Sequence, residues 1–156
     1  METEVLISLG SNLRDKKENL QTAAEHLCKA LGKVEKSPIV KSQAVDYLNQ
    51  PDFLNQILSF KVCQDKFPPL AVLNLALEIE NSMGRERSIP KGPRVIDIDI
   101  LFYGDLKINT KELIIPHPGV FERSFIIEPL KKLSSYKNLK RRYDFDRPLG
   151  NTCQFI

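Results

Sequence analysis

The sequence predicts an α+β fold of the ferredoxin-like type, with helices on one face of an antiparallel sheet. Extended and helical segments follow one another in the order β-α-β-β-α-β, both helices carry apolar residues at helical spacing, and turn residues separate the segments. A C-terminal hairpin and a further helix are expected after residue 105. The 156 residues are enough for one domain with a substantial core, and we expect residues 1–156 to form it.

The first half of the predicted fold starts with a short apolar run. Residues 5–9 are expected to form a buried strand that ends in a turn at residues 10–12. A helix is predicted over residues 16–31, with Gly32 as its stop. Residues 34–45 form a weaker extended stretch that Pro38 interrupts.

The second half repeats this pattern with clearer boundaries. Residues 53–62 are the next strand candidate. A helix is predicted to open at residues 68–69 and to run to Met83, with proline at its start and Gly84 beyond its end. The last strand of the core motif is expected within residues 92–103, and a helix within residues 121–133.

Residues 92–103 alternate with period two, which is typical of a strand. Asp97 and Asp99 then stand on one face, roughly 7 Å apart. Oxygen ligands on a stiff strand suit Mg²⁺, which binds through one or two carboxylates and substrate phosphates. The alternative is an edge strand with a solvated outer face. The opposite face is predicted to be core, with Ile96, Ile98, Ile100 and Phe102.

A basic loop leads into the two aspartates. Residues 84–94 contain Arg85, Arg87, Lys91 and Arg94, between glycine and proline residues. Arginine binds phosphate oxygens bidentately, so the loop and the aspartates together resemble a polyphosphate clamp. There is no GxxxxGK[ST] motif, which excludes a P-loop. The basic clusters at residues 131–132 and 140–142 are interpreted as solvated surface.

Two further residues are candidates with open alternatives. Glu80 shares a helical stripe with apolar residues, so it must be paired or hydrogen-bonded, either in a structural salt bridge or as a ligand-binding acid. His117 lies between two prolines in a stiff extended backbone, either as a packed loop residue or as a phosphate contact.

Composition narrows the class of protein. The sequence contains no apolar run long enough for a membrane span and no signal-peptide pattern, and its three cysteines have no metal-binding spacing. We therefore expect a cytoplasmic protein, not bound to a membrane, with reduced thiols. The net charge of +3 is too small to indicate nucleic-acid binding, and residues 54–62 lack the aromatic pattern of RNA-recognition modules.

Several runs of the sequence match one family in order and spacing. The chain resembles the 6-hydroxymethyl-7,8-dihydropterin pyrophosphokinases of folate biosynthesis, which are ferredoxin-like enzymes, over nearly its whole length. The matching runs are GSN at residues 10–12, QPDFLN at 50–55, IE at 79–80, GRER at 84–87, GPRVIDIDI at 92–100 and IPH at 115–117.

The resemblance implies an activity and a set of roles. The chain would transfer the pyrophosphoryl group of ATP to the hydroxymethyl group of the pterin, release AMP, and act as a monomer on small molecules. Asp97 and Asp99 would hold two Mg²⁺ ions, and together with Arg85 and Arg94 they would be the catalytic residues. ATP would be bound by Glu80, Arg85, Arg87, Arg94, Ile100, His117 and Arg123, and the pterin by Ser42, Gln43, Val45, Phe53, Asn55, Asp97 and Phe125.

A second enzyme class stays open on the residues alone. A Mg²⁺-dependent nucleotidyl transferase can also place paired aspartates on a ferredoxin-like sheet. It would use the same metal and nucleotide but would release pyrophosphate in place of AMP.

Overall fold

A computed structural model describes residues 2–44, 49–85 and 92–156. Within these ranges, six strands form one antiparallel sheet, and two short strands form a hairpin. The elements are β1 (Glu2–Ser11), α1 (Lys16–Leu31), β2 (Val34–Lys36), β3 (Val40–Ser42), β4 (Phe53–Cys63), α2 (Pro69–Ser82), β5 (Asp97–Tyr103), β6 (Ile108–Asn109), β7 (Ile114–Ile115), a 3-10 turn (Pro118–Phe121), α3 (Ser124–Leu130), α4 (Tyr136–Arg142) and β8 (Cys153–Phe155).

The strand order confirms the ferredoxin-like arrangement. Along the sheet the order is β5-β1-β4-β3-β8, and β2 also pairs with β4. The predicted stretch after α1 is divided into β2 and β3 by Ser37 and Pro38. Ser37 Oγ accepts a hydrogen bond from the Ile57 backbone N–H at 2.9 Å, so this break remains attached to β4.

Both predicted helices lie on one face of the sheet, here called the α1–α2 face. In α1, the Asp15 side chain caps the Glu18 N–H, and Gly32 ends the helix at a φ of 95°. Apolar side chains of α1 and α2 pack with β1, β4 and β5 into the larger buried cluster, which includes Leu20, Leu27, Val72, Ile7 and Ile98. Burial of this face is the main source of cohesion in the sheet.

The opposite face, here called the α3 face, is covered by the C-terminal elements. The predicted helix over residues 121–133 is shorter than expected, because a 3-10 turn precedes α3 and α3 covers only Ser124–Leu130. Helix α4 and strand β8 were not predicted, because they are short and are stabilised by packing against the rest of the chain. The predicted solvated clusters at residues 131–132 and 140–142 are exposed, as expected. This face buries Leu6, Ile57, Leu101, Phe102, Val120, Ile126, Ile127, Leu130, Leu133, Leu139 and Phe145.

Strand β5 differs from its prediction in two ways. It begins at Asp97 and not at residue 92, because the preceding segment is bonded to a turn, with the Arg94 N–H donating to Asn12 Oδ1 at 2.8 Å. It also contains a bulge, since Ile7 pairs with Ile100 and Leu6 with Phe102. Phe102 therefore packs on the α3 face together with Leu101, and its predicted place beside Ile98 is wrong.

None of the helices within residues 2–44, 49–85 and 92–156 combines the length and the apolar composition that a bilayer span requires.

Candidate active site

A cavity of about 530 Å³ opens on the α3 face, at the end of the sheet where the strands carry polar residues. It collects most of the predicted site residues, although they come from six separate segments of the chain. The lining consists of Ser8, Gly10, Ser42, Gln43, Ala44, Gln50, Phe53, Asn55, Arg85, Arg94, Asp97, Asp99, His117, Pro118, Gly119, Glu122, Arg123, Phe125 and Ile126.

Small residues of β1 form the floor of this cavity. Gly10 pairs with Asn55 on one side and with Asp97 on the other, and Ser8 pairs with Asp99. Side chains of paired residues project to the same face of the sheet. The Asn55 amide therefore lies on one side of β1, and the Asp97 and Asp99 carboxylates lie on the other. A Cβ atom at Gly10 would lie 2.7 Å from Asn55 Nδ2, so only glycine fits there without displacing the amide.

Asp97 and Asp99 stand next to each other on β5, as the alternation predicted. Neither lies on a fully solvated face: Asp99 is half-buried, and the side chain of Asp97 is 23% exposed. The pKa of Asp99 is raised well above its ordinary value, first by burial, then by the negative charges of Asp97 and Glu80 and a hydrogen bond with Asp97. Arg123 acts in the opposite direction. Burial and neighbouring negative charge therefore both disfavour the charged form of Asp99.

Arg85 brings positive charge to this pair through the end of helix α2. Gly84 has a φ of 83°, and the Arg85 N–H donates to the Glu80 carbonyl at 3.1 Å, as in a Schellman motif. Arg85 Nη1 then lies 2.8 Å from both Glu80 Oε2 and Asp97 Oδ1. Its Nε is buried and has no hydrogen-bond acceptor among the described residues.

Arg94 approaches Asp97 from the segment before β5. Its Nε is 3.6 Å from Asp97 Oδ2, and its guanidinium lies 4.7 Å from the centre of the Phe53 ring. This Nε is also buried without an acceptor in the described part of the chain. Two guanidinium groups therefore flank Asp97, and each has an Nε donor without an acceptor among the described residues.

Asn12 holds the backbone of Arg94, a role that the sequence analysis missed. The Asn12 side chain accepts from the Arg94 N–H, and its Nδ2 donates to Gln50 Oε1 at 2.8 Å and to the Pro51 carbonyl at 3.1 Å. It is 1% exposed, so these bonds fix three segments in a dry environment. The matching run at residues 10–12 was the available signal, but only the structure shows the contacts.

The carboxylate oxygens of Asp97 and Asp99 fit a hard cation whose remaining ligands come from water or substrate. Across residues 2–44, 49–85 and 92–156, no group of three or more His, Cys, Asp or Glu side chains is arranged to hold a metal ion. Asp97 and Asp99 offer carboxylate oxygens only. That donor set suits Mg²⁺, which keeps water and phosphate oxygens as its remaining ligands.

The other end of the cavity is lined by aromatic side chains and includes a buried amide. Phe53 and Phe125 both line it, and Asn55 lies beside them. Asn55 is 6% exposed; its Nδ2 donates to the Leu9 carbonyl at 3.3 Å, while its Oδ1 is buried without a donor among the described residues. A buried acceptor of this kind needs a partner, and a ligand N–H can supply it.

His117 and Arg123 close the cavity from the 3-10 turn. The His117 N–H donates to the Leu101 carbonyl at 3.0 Å, and its Nδ1 accepts from the Gly119 N–H at 3.0 Å. The second bond leaves Nε2 as the ring nitrogen that carries a proton in neutral histidine. Arg123 lies 5.8 Å from the Phe125 ring centre and beside Gly119.

Some predicted residues lie elsewhere. Glu80 and Ile100 are buried and do not line the cavity; Ile100 packs in the cluster on the α1–α2 face. Val45 and Arg87 lie outside the described residues. Ser8 was missed, although it is the one polar residue in the run at 5–9 and stands two positions before Gly10. The other lining residues that the sequence analysis did not assign are Gly10, Ala44, Gln50, Pro118, Gly119, Glu122 and Ile126.

Residues 6–135 match the family model of 7,8-dihydro-6-hydroxymethylpterin-pyrophosphokinase (HPPK). The chain belongs to this family. A similar HPPK relative is the 2-amino-4-hydroxy-6-hydroxymethyldihydropteridine pyrophosphokinase of Bacillus subtilis, 37% identical over 131 residues, which are 81% of this chain and 75% of that protein. The folic acid synthesis protein fol1 of Schizosaccharomyces pombe is 39% identical over 130 residues, 82% of this chain and 17% of the relative.

Solved structures agree with the HPPK assignment at the level of the fold. The wild-type Plasmodium falciparum HPPK-DHPS crystal structure with pteroate has a TM-score of 0.63 at 17% identity, over 85% of this chain and 39% of that one. The fission-yeast and Plasmodium proteins are thus much longer than the segment that matches. At this identity the match supports the ferredoxin-like architecture only.

Proposed function

We propose that this HPPK family member transfers the pyrophosphoryl group of ATP to the hydroxymethyl group of 6-hydroxymethyl-7,8-dihydropterin, with Mg²⁺, and releases AMP. One observation carries the proposal. A single cavity has a charged end, formed by two carboxylates and two arginines, and an aromatic end with a buried amide acceptor. A reaction that joins a polyphosphate to a flat heterocycle needs both ends within reach of each other.

The charged end suits a triphosphate. Arg85 and Arg94 each have a buried Nε without an acceptor among the described residues, and phosphate oxygens would accept from both. His117 and Arg123 line the same cavity and would contact the same chain of phosphates. Transfer of a phosphoryl group requires mainly positioning and charge neutralisation, which these residues can provide.

The aromatic end suits the pterin. A flat ring is well held between two aromatic faces, here Phe53 and Phe125. The ring of a pterin carries N–H groups on its edge, and Asn55 Oδ1 would accept one of them. Ser42 at the end of β3 and Gln43, which follows it, also line the cavity and would contact the ring.

The donor set of Asp97 and Asp99 would hold Mg²⁺, and the ion would supply charge that offsets the raised energy of the paired carboxylates and of the triphosphate. In the reaction itself, the pterin hydroxyl oxygen bonds to the β-phosphorus of ATP, the bond from that phosphorus to the α–β bridging oxygen breaks, and AMP leaves with the bridging oxygen. The hydroxyl proton would pass to the Asp99 carboxylate and from there to solvent. Arg85 and Arg94 would stabilise charge on the transferred group.

The product separates this proposal from nucleotidyl transfer. Incubation with ATP, Mg²⁺ and the pterin alcohol should yield AMP and pyrophosphorylated pterin in equal amounts, resolved by anion-exchange chromatography. Release of pyrophosphate, or ATP consumption that does not require the pterin, would contradict the proposal. Omission of the pterin and addition of EDTA are the matched controls.

A further inference from the structure

One carboxylate oxygen joins the arginine and the aspartate strand of the site. Glu80 Oε2 accepts a hydrogen bond from Arg85 Nη1 at 2.8 Å and another from the Ile98 N–H at 2.7 Å. Ile98 lies between Asp97 and Asp99. The Glu80 side chain therefore links the Arg85 guanidinium to the strand that carries both acids.

Glu80 acts from behind the cavity and not within it. It is 2% exposed, lies in the last turn of α2, and is absent from the cavity lining, whereas Arg85 and Asp97 line the cavity. A carboxylate buried to this extent is costly unless it is paired. The Schellman motif at Gly84 supplies the pairing, because it returns the chain so that Arg85 meets the residue five positions before it.

The two carboxylates that contact Arg85 differ in whether they can keep that contact once substrates bind. Nη1 is 2.8 Å from Glu80 and 2.8 Å from Asp97. Asp97 faces the cavity and, in the proposed reaction, is needed by the cation. Its contact with Arg85 must then be exchanged for other ligands. Glu80 is shielded from the cavity and can keep its contact throughout.

We propose that Glu80 is a positioning residue for the transfer reaction. It holds the Arg85 guanidinium at the phosphate end of the cavity while Asp97 exchanges its arginine contact, and through Ile98 it keeps the aspartate strand at a fixed distance from that guanidinium. The inference rests on the proposed function and assigns to Glu80 an indirect role, in place of the direct contact with ATP that the family resemblance implied.

The first test is Glu80→Gln, with Glu78→Gln as its matched control. Glutamine keeps an oxygen acceptor for the Ile98 N–H but removes the charge that holds Arg85. Loss of a supporting partner of this kind lowers activity about 10- to 100-fold. We expect that loss in kcat, with both KM values nearly unchanged. Glu78 is exposed on the same helix, so its variant should have wild-type kcat. A wild-type kcat in E80Q would overturn the proposal.

A double-mutant cycle with Arg85→Gln tests whether Glu80 acts through the arginine. If it does, E80Q/R85Q should turn over as slowly as R85Q alone, within about threefold, because the second change removes nothing further. A merely structural role for Glu80 would give losses that multiply. Multiplying losses would therefore overturn the proposal.

A measurement on the ligand-free protein does not depend on activity. In ¹⁵N-resolved NMR spectra, the Arg85 side-chain N–H signals should exchange slowly with water in the wild type and in E78Q, and rapidly in E80Q. Equal exchange in E80Q and the wild type would overturn the anchoring of Arg85. If the wild type made no AMP, the proposed function would fail, and this measurement would still decide whether Glu80 holds Arg85.

Glu80→Asp covers the case in which E80Q does not fold, as judged by circular dichroism. Aspartate keeps the charge but is one methylene shorter, so it cannot reach Arg85 and Ile98 together. We expect a loss of kcat and faster exchange of the Arg85 signals in folded E80D. Wild-type values of both in that variant would overturn the proposal.

Discussion

At the scale of single residues, Asp97 is the point where the charges of the site meet. It is 2.8 Å from Arg85 Nη1 and 3.6 Å from Arg94 Nε, and it contributes to the raised pKa of Asp99. Two adjacent carboxylates with little solvent raise each other's energy, and positive charge relieves it. This is why these residues suit the proposed binding of a cation and a polyphosphate.

Replacing Asp97 with asparagine should remove activity without removing the fold. The change deletes one site charge and no apolar contact, and loss of a key electrostatic group lowers kcat by on the order of 10²–10³. AMP formation measures the loss, and urea unfolding shows whether the fold is kept. Asp105→Asn, at an exposed turn, is the control and should behave as the wild type. Mg²⁺-dependent turnover at the wild-type rate in D97N would contradict the role of Asp97.

Gly10→Ala should weaken pterin binding selectively. The added Cβ would lie 2.7 Å from Asn55 Nδ2, so the amide must move away from the ring edge that it is proposed to bind. Losing a hydrogen bond of about 1.4 kcal/mol would raise the KM for the pterin about tenfold, with the KM for ATP nearly constant. Gly150→Ala is the control, because a Cβ there meets nothing within 4 Å. An equal rise in both KM values would contradict this reading.

At the scale of elements, the bulge in β5 allows one strand to serve both faces of the sheet. Before it, Asp97 and Asp99 face the cavity and Ile98 faces the α1–α2 core; after it, Leu101 and Phe102 both pack under α3. The strand ends at Tyr103, which is 1% exposed and packs with the α1–α2 cluster. The Tyr103 hydroxyl donates to the Phe67 carbonyl at 2.7 Å and so ties β5 to the segment that enters α2.

Tyr103→Phe should lower stability and change its dependence on alkaline pH. The lost hydrogen bond costs about 1 kcal/mol in the free energy of unfolding near neutral pH. Burial raises the pKa of Tyr103 above its ordinary value, so the folded state keeps the phenolic proton at a pH where the unfolded state has lost it. The stability of the wild type therefore falls as pH rises through about 10, and this component should be absent in Y103F.

Urea unfolding between pH 8 and 11 measures both effects. Tyr143→Phe is the comparison, since Tyr143 packs in the opposite layer against Phe102 and Phe121. If Y103F and the wild type lose stability in parallel above pH 10, the attribution to Tyr103 is wrong.

At the scale of the whole molecule, one face of the sheet supplies most of the core and the other carries the cavity. The α1–α2 face is covered along β1, β4 and β5 and supplies most of the core. On the α3 face, apolar packing stops before the ends of the strands, and the remaining part is the cavity. The charged residues are thus placed on a rigid sheet that is stabilised from its other side.

Binding of a non-hydrolysable ATP analogue with Mg²⁺ should stabilise the whole molecule. Ligand at a hundred times its Kd adds about 2.7 kcal/mol, which for a protein of this size raises Tm by roughly 5–10 °C. Thermal unfolding followed by circular dichroism measures the shift. EDTA, or the D97N variant, should remove most of it. An equal shift with and without the metal would contradict a cation held by Asp97 and Asp99.

Much of this protein could be predicted from its sequence, because the signals involved are local. The hydrophobic period and the stop at Gly32 predicted α1 over residues 16–31, and the proline–glycine pair predicted α2 within one residue at its C-terminal end. The alternation around Asp97 and Asp99 placed both carboxylates on one face, which the structure confirms. The resemblance of several short runs identified the family.

Other features were decided only by tertiary structure, because they depend on contacts between distant segments. The bulge that places Phe102 on the opposite face from Ile98 follows from pairing with β1, and the sequence of β5 contains no signal that predicts it. The start of β5 is delayed because the Arg94 N–H donates to Asn12 Oδ1, and Asn12 lies 82 positions before Arg94. Glu80 was known to need a partner, but packing of α2 against β5 determined that Arg85 and the Ile98 N–H would share it. A local pattern fixes which way a side chain points, whereas what it meets depends on how the rest of the chain folds around it.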